Sequence, residues 1–249
     1  MKAHAEALLM RALVTRPRAE AEALAALLAR RGIETVIEPL IEIEASGAAL
    51  PDLAGVQAVL CTSANGARAL ARASVERGVP VFAVGDATAR AARDAGFYRV
   101  ESAGGDIEAV ARLARLRLRP EGGRLLHIAG SEVAGDLAAS LAADGFTVDR
   151  MVLYEARAVG SFSPATAELI ADGEFAFALF FSPRTAAIFA RLADEAAVTD
   201  GLNATIAVSI SAAADAMLAD LPFRARLIAE APTQAALIEL IERRVDQPA

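Results

Sequence analysis

Tryptophan is missing from this chain altogether, and cysteine occurs once, at Cys61. A single thiol excludes an intramolecular disulfide and any metal site built from several cysteines. Two histidines, His4 and His127, are too few for a zinc cluster. Aromatic residues make up 5% of the total, which favours cores of small aliphatic side chains over aromatic cages. Lys2 is the one lysine among 25 basic residues, and 32 acidic residues bring the net charge to −7. That balance excludes a broad nucleic-acid face, because neutralising phosphates needs a positive surface. An anionic ligand must then be held by local donors and not by the field of the whole molecule. No apolar run reaches the roughly 18 residues of a membrane helix. The first ten residues also lack the apolar stretch and cleavage site of a signal peptide. A cytoplasmic protein is expected, with residues 1–9 an extension outside the fold.

What the chain has in quantity is apolar material: 55% of its 249 residues are hydrophobic, enough for two domains with real cores. The pattern also repeats. RALVTRPRAEAEALAALLARRGIETVIEPLIEIE, from Arg11, runs alongside RLLHIAGSEVAGDLAASLAADGFTVDRMVLYEA, from Arg124, with Gly32 answering Gly145. Each copy predicts a buried strand, an Ala/Leu helix, a glycine C-cap and two further short strands. Val56–Leu70 likewise matches Phe175–Phe189, with Ser63 opposite Ser182. Val79–Phe97 matches Ala204–Leu218, with Gly85 opposite Ser209. Alternating strands and helices predict α/β folds whose parallel sheets are covered on both faces, which suits the apolar runs Ala58–Leu60 and Ala176–Phe181. Pro39–Glu44 and Val152–Arg157 interrupt the alternation, each following another strand directly. Either each repeat is one lobe, or the chain crosses over at the first of these segments and returns at the second. Pro120–Gly123 and Gly160–Pro164 read as linkers.

In a parallel sheet, ligands bind beyond the carboxyl ends of the strands, beside helix N-termini. The residues following the predicted strands are Thr15-Arg16, Thr62-Ser63-Ala64-Asn65 and Gly85-Asp86-Ala87-Thr88 in the first half. In the second half they are Ala129-Gly130-Ser131, Ser182-Pro183-Arg184-Thr185 and Ser209-Ile210-Ser211. Any one hydroxyl here reads as an N-cap. The set, aimed at one cleft between two lobes, offers N–H and O–H donors suited to carboxylates. No phosphate loop or dinucleotide fingerprint follows a strand, and a Ser/His/Asp hydrolase lacks its second usable histidine. Cys61 reads as a small buried hydrophobe, His127 as a packed strand residue, Tyr98 as helix-end packing and Asp86 as a cap. Tyr154 stands beside the presumed cleft, where a phenol can donate a proton or hydrogen bond.

The segments LVTRP (Leu13–Pro17), CTSANG (Cys61–Gly66), AVGDATA (Ala83–Ala89), the LLH…G stretch (Leu125–Gly130), VLYEA (Val152–Ala156) and FFSPRTA (Phe180–Ala186) occur in a telling order. In that order and spacing the chain resembles the uroporphyrinogen-III synthase family from Met10 onward. The resemblance implies two similar open parallel-sheet (flavodoxin-like) α/β domains from an internal duplication, joined by a two-stranded antiparallel connector. The domains exchange their first βα units: residues 11–38 join 158–249, residues 45–151 form the other domain, and 39–44 and 152–157 connect them. It further implies a cofactor-free lyase of haem biosynthesis. The substrate is hydroxymethylbilane, a linear tetrapyrrole bearing carboxylates along its length. Loss of water, inversion of the terminal pyrrole ring and closure give uroporphyrinogen III. Tyr154 matches a family tyrosine implicated in hydroxyl departure. Thr62, Ser63, Gly85, Thr88, Ser182, Thr185, Ser209 and Ser211 match positions lining the cleft, and Arg16 and Arg184 are candidates to pair with acetate or propionate groups. Ala212 departs from the pattern, since the first repeat has Thr88 at that place. A monomer is expected, in transient contact at most with the preceding enzyme, and neither nucleic acid nor membrane is a partner. The competing reading is a non-enzymatic two-domain cytosolic sensor of an anionic metabolite.

Overall fold

A computed structural model describes residues 10–131 and 136–246; the extension expected over 1–9 lies outside them. From its amino end the chain forms β1 (Met10–Val14), α1 (Arg18–Ala29), β2 (Ile33–Ile37), β3 (Ile41–Ala45), β4 (Val56–Cys61) and α2 (Ala64–Ala73). There follow β5 (Val81–Ala83), α3 (Asp86–Asp94), β6 (Val100–Ser102), α4 (Ile107–Arg117), β7 (Arg124–Gly130) and α5 (Leu137–Ala142). The remainder is β8 (Val148–Ala158), α6 (Pro164–Ala171), β9 (Phe177–Phe180), α7 (Pro183–Glu195), β10 (Ile206–Ser209), α8 (Ala212–Ala216), β11 (Ala225–Ile228) and α9 (Gln234–Asp246). Among the described residues no helix is long and apolar enough to cross a membrane.

The chain divides into two compact units, one made of residues up to Glu42 and from Ala158 onward, the other of Ile43–Arg157. The first holds a five-stranded sheet in the order β11-β10-β9-β1-β2, with every pairing parallel. The second holds most of a six-stranded sheet, β3-β8-β7-β4-β5-β6, in which the pairings from β8 to β6 are parallel. Taken with β7 as its first strand, the second unit has the strand order 2-1-3-4-5 of the first, one of the common doubly wound arrangements.

Alternation along the strands explains the burial of both faces. In β4, Val59 and Cys61 join one apolar cluster with Ala67 and Leu70 of α2, while Ala58 and Leu60 join another with Val110 and Ala114 of α4. In the first unit Ala12 and Val14 of β1 pack with Leu24 and Leu28 of α1 and with Leu237 and Ile241 of α9. Phe180 packs edge-on against Phe189, 5.1 Å between centroids, and Phe162 and Phe223 extend the cluster, so four of the ten phenylalanines meet in one group. The paired glycines behave as expected: Gly32 and Gly145 take φ of 73° and 86° just beyond α1 and α5, a conformation that side chains with a Cβ resist.

Three local expectations are corrected. Pro39 separates β2 from β3, because it cannot donate to a ladder. No proline stands at the matching place near Val152, so β8 runs unbroken over 11 residues. Pro120–Gly122 is a single helical turn inside the second unit, and Gly160–Pro164 a turn inside the first; neither links the units. Tyr98 is 75% exposed and does not close a core.

One carboxylate ties two elements of the first unit. Glu38, after β2, accepts from Ser163 N–H at 2.6 Å, Ser163 Oγ at 2.8 Å and Thr166 Oγ1 at 2.8 Å, at the N-terminus of α6. Negative charge there meets unpaired N–H groups and the positive end of the helix dipole. Glu38→Ala should destabilise the protein by about 1–2 kcal/mol in urea unfolding; an unchanged midpoint would discard this role.

Candidate active site

In the second unit the carboxyl edge of the sheet gathers several of the predicted residues. Ser63 caps α2, its Oγ accepting from Gly66 N–H at 3.0 Å and lying 2.7 Å from Tyr154 Oη. Thr62 Oγ1 is 3.4 Å from His127 Nε2. Tyr154 reaches this edge from β8 and is 9% exposed. On the neighbouring strand end, Gly85 caps α3 with no side chain to offer, and a Cβ there would meet nothing within 4 Å. Asp86 is the first helical residue and not the cap; its charge still suits the first turn. Thr88 is only 4% exposed.

The first unit presents a second edge of the same kind. Ser182 caps α7, accepting from Thr185 N–H at 3.1 Å with its Oγ 2.8 Å from Thr185 Oγ1. Ser211 caps α8 through Ala214 N–H at 3.3 Å. Ser209, at the end of β10, is wholly buried, and its Oγ has no hydrogen-bond partner among the described residues. Thr15 is spent on structure, donating to the Leu179 carbonyl at 3.0 Å and tying β1 to β9. Arg16 donates to Gln234 Oε1 at 2.9 Å, and its guanidinium lies 4.4 Å from the Phe181 ring centre. Arg184 is half-buried in the first turn of α7. Capping thus accounts for the Oγ atoms of Ser63, Ser182 and Ser211.

At the second unit's edge the sequence marks Gly130 only as a strand end and does not single out Arg150. Gly130 lies under the Tyr154 ring: a Cβ on it would come within 2.9 Å of Cε2 and Cζ. Arg150 donates to the Gly130 carbonyl at 3.1 Å. Neither carries a local signal, because each acts across the β7–β8 pairing. Cys61 is fully buried, and burial pushes its thiol up to about 12, so it is no nucleophile at neutral pH.

His127 is 1% exposed. Burial first, then the positive charge of Arg150, lowers its imidazole from 6.5 to about 4, against a smaller opposing pull from Asp136. The ring is therefore neutral at pH 7. In the unfolded chain the same histidine takes up a proton near 6.5, so between about 6.5 and 4 the unfolded state binds more protons. Stability is full above that window and falls as pH drops through it, by roughly 3 kcal/mol in all. Urea midpoints at a series of pH values should show this slope and its flattening in His127→Gln. The same slope in the variant would clear His127 of responsibility.

Open parallel sheets with helix N-termini and hydroxyls crowded at their carboxyl edges belong to α/β proteins that take ligands beyond the strand ends. A family model described as uroporphyrinogen-III synthase HemD matches residues 22–239, and the chain belongs to that family. Its members are cyclising lyases of haem biosynthesis, and the chain is such an enzyme of tetrapyrrole synthesis. Uroporphyrinogen-III synthetase from Helicobacter pylori is similar in fold, with 18% identity and a TM-score of 0.61, over 94% of this chain and 99% of that one. A mutant uroporphyrinogen III synthase from the extremely thermophilic bacterium Thermus thermophilus has 18% identity and a TM-score of 0.49, over 95% and 99%. No curated protein matches the chain.

Proposed function

We propose that this chain converts hydroxymethylbilane to uroporphyrinogen III without a cofactor, and that Tyr154 protonates the departing hydroxyl. The observation carrying that role is a phenol at the carboxyl edge of a parallel sheet, hydrogen-bonded to the capping Ser63 at 2.7 Å. Hydroxide is a poor leaving group. Protonation as the C–O bond breaks releases water and leaves a delocalised azafulvenium cation. The far pyrrole attacks through its already substituted carbon to give a spiro intermediate. Fragmentation and reclosure at the free carbon invert the ring and expel one proton, which restores the phenol. Holding the two chain ends together removes much of the entropic barrier.

In this proposal the substrate's carboxylates are met by the helix N-termini that begin at Ser63, Gly85, Ser182 and Ser211, together with Thr62, Arg16 and Arg184. Thr88, Thr185 and Ser209 are buried and serve by building these edges. The protein works as a cytoplasmic monomer that meets the preceding enzyme only in passing. Its units descend from one duplicated repeat and are joined by an antiparallel pair of connector segments. Two hydrogen bonds support the connector: Ser46 N–H to the Leu153 carbonyl and Val159 N–H to the Leu40 carbonyl, whose numbers rise on one side as they fall on the other. The matching strand orders support the duplication.

The test is to supply enzymatically generated hydroxymethylbilane and identify the macrocycle. Isomer III formed faster than spontaneous closure is expected. Isomer I alone, at the rate without protein, would remove the enzyme and leave the sensor of an anionic metabolite.

A further inference from the structure

Tyr154 would face the wrong way in a regular strand. Along β7 and β8 the register runs His127↔Arg150, Ile128↔Met151 and Ala129↔Val152, then jumps to Gly130↔Tyr154. Leu153 is the extra residue of a β-bulge. Before it, alternation holds: Val148 packs with the cluster around Leu125 and Leu141, and Met151 with the one around Val59 and Leu126. Continued alternation would send Tyr154 to the face of Val148, but it packs with Leu153 and Met151. A bulge re-aims a side chain in this manner by shifting the two-residue period by one.

The re-aimed ring then needs space and a hydrogen-bond partner. Space comes from Gly130, where a Cβ would lie 2.9 Å from two ring carbons and 3.0 Å from Oη. The partner is Ser63, whose Oγ already accepts from Gly66 N–H. A serine hydroxyl that accepts the cap bond still has its own proton to give. Donated to Tyr154 Oη, that proton leaves the phenolic O–H free for another acceptor.

We propose that Ser63 and Gly130 are positioning residues that direct the phenolic proton of Tyr154 toward the substrate's departing hydroxyl, with Ser63 donating to Oη. The proposal rests on the dehydrating role given to Tyr154 above, and it reassigns Ser63 from substrate ligand to support. The protons balance. The phenol loses one to the hydroxyl, which leaves as water; the phenolate keeps the Ser63 hydrogen bond; final ring closure returns the proton.

The chain holds two tyrosines and no tryptophan, which makes a spectroscopic arm possible. In a Tyr98→Phe background, the tyrosine band of the near-ultraviolet circular dichroism comes from Tyr154 and reports how firmly its ring is held. Ser63→Ala and Gly130→Ala should each weaken that band and lower kcat about tenfold with little change in KM, while Ser63→Thr keeps both. In a Tyr154→Phe background, Ser63→Ala should lower kcat no further, because the two hydroxyls act as a unit. The proposal is overturned by an unchanged band in Ser63→Ala, or by a tenfold loss that persists without the Tyr154 hydroxyl, as simple loss of the helix cap predicts. A wild type that yields only isomer I would defeat the function itself, and the band alone would then decide whether Ser63 holds Tyr154.

Discussion

Tyr154→Phe should slow turnover of hydroxymethylbilane by roughly ten- to a hundredfold, about 1–3 kcal/mol of barrier. Phenylalanine keeps the ring over Gly130 and its place in the apolar cluster with Leu153 and Leu126, so folding should be nearly unaffected. What disappears is Oη, and with it both the bond to Ser63 and the proton for the leaving group. An interaction made chiefly in the transition state lowers kcat and spares KM. The product ratio should move as well. Once hydroxyl departure is slow, spontaneous closure competes, and the share of isomer I rises. Separating the isomers over time and fitting initial rates gives both numbers. A variant with wild-type kcat would take Tyr154 out of the mechanism while leaving the family membership intact.

The largest loss of stability is expected from a glycine far from any chemistry. Gly201 lies in the turn Thr199–Ala204 ahead of β10. A Cβ on it would run into the carbonyl oxygen of Ile170 and stand 2.8 Å from that of Ala171, at the end of α6. Both obstacles are backbone atoms, so no rotamer change relieves them. The turn and the helix end would have to part, opening the buried side chains of Ile170 and Leu202, each 1% exposed. Gly201→Ala should therefore cost about 3 kcal/mol or more, at the upper end for overpacking. Gly160→Ala serves as the comparison, because a Cβ there meets nothing within 4 Å; it should change stability by less than about 0.5 kcal/mol. Equal urea midpoints for the two variants would contradict the packing argument.

Much of this molecule was legible from local signals. Alternating apolar strands and Ala/Leu helices announced doubly covered parallel sheets, and β4 bears that out residue by residue. Gly32 and Gly145 could be read as C-caps because a left-handed turn after a helix selects glycine. Serines before helices could be read as N-caps for an equally local reason. What stayed hidden depends on partners distant in sequence. The bulge at Leu153 exists only in the pairing of β8 with β7. Gly130 looks like an ordinary strand end until the Tyr154 ring is laid over it. Tyr98, following Phe97, suggested packing, yet Phe97 alone turns inward, 2% exposed.

The two crossings of the chain also bear on how it is made. Ile43–Arg157 is one uninterrupted stretch and can condense while still attached to the ribosome. β1, by contrast, lies between β2 and β9, and β9 is translated long after it. The nascent amino-terminal segment must wait, its apolar strand half-paired, until β9 has emerged. Over that interval its unpaired strand edge is open to the aggregation that chaperones prevent.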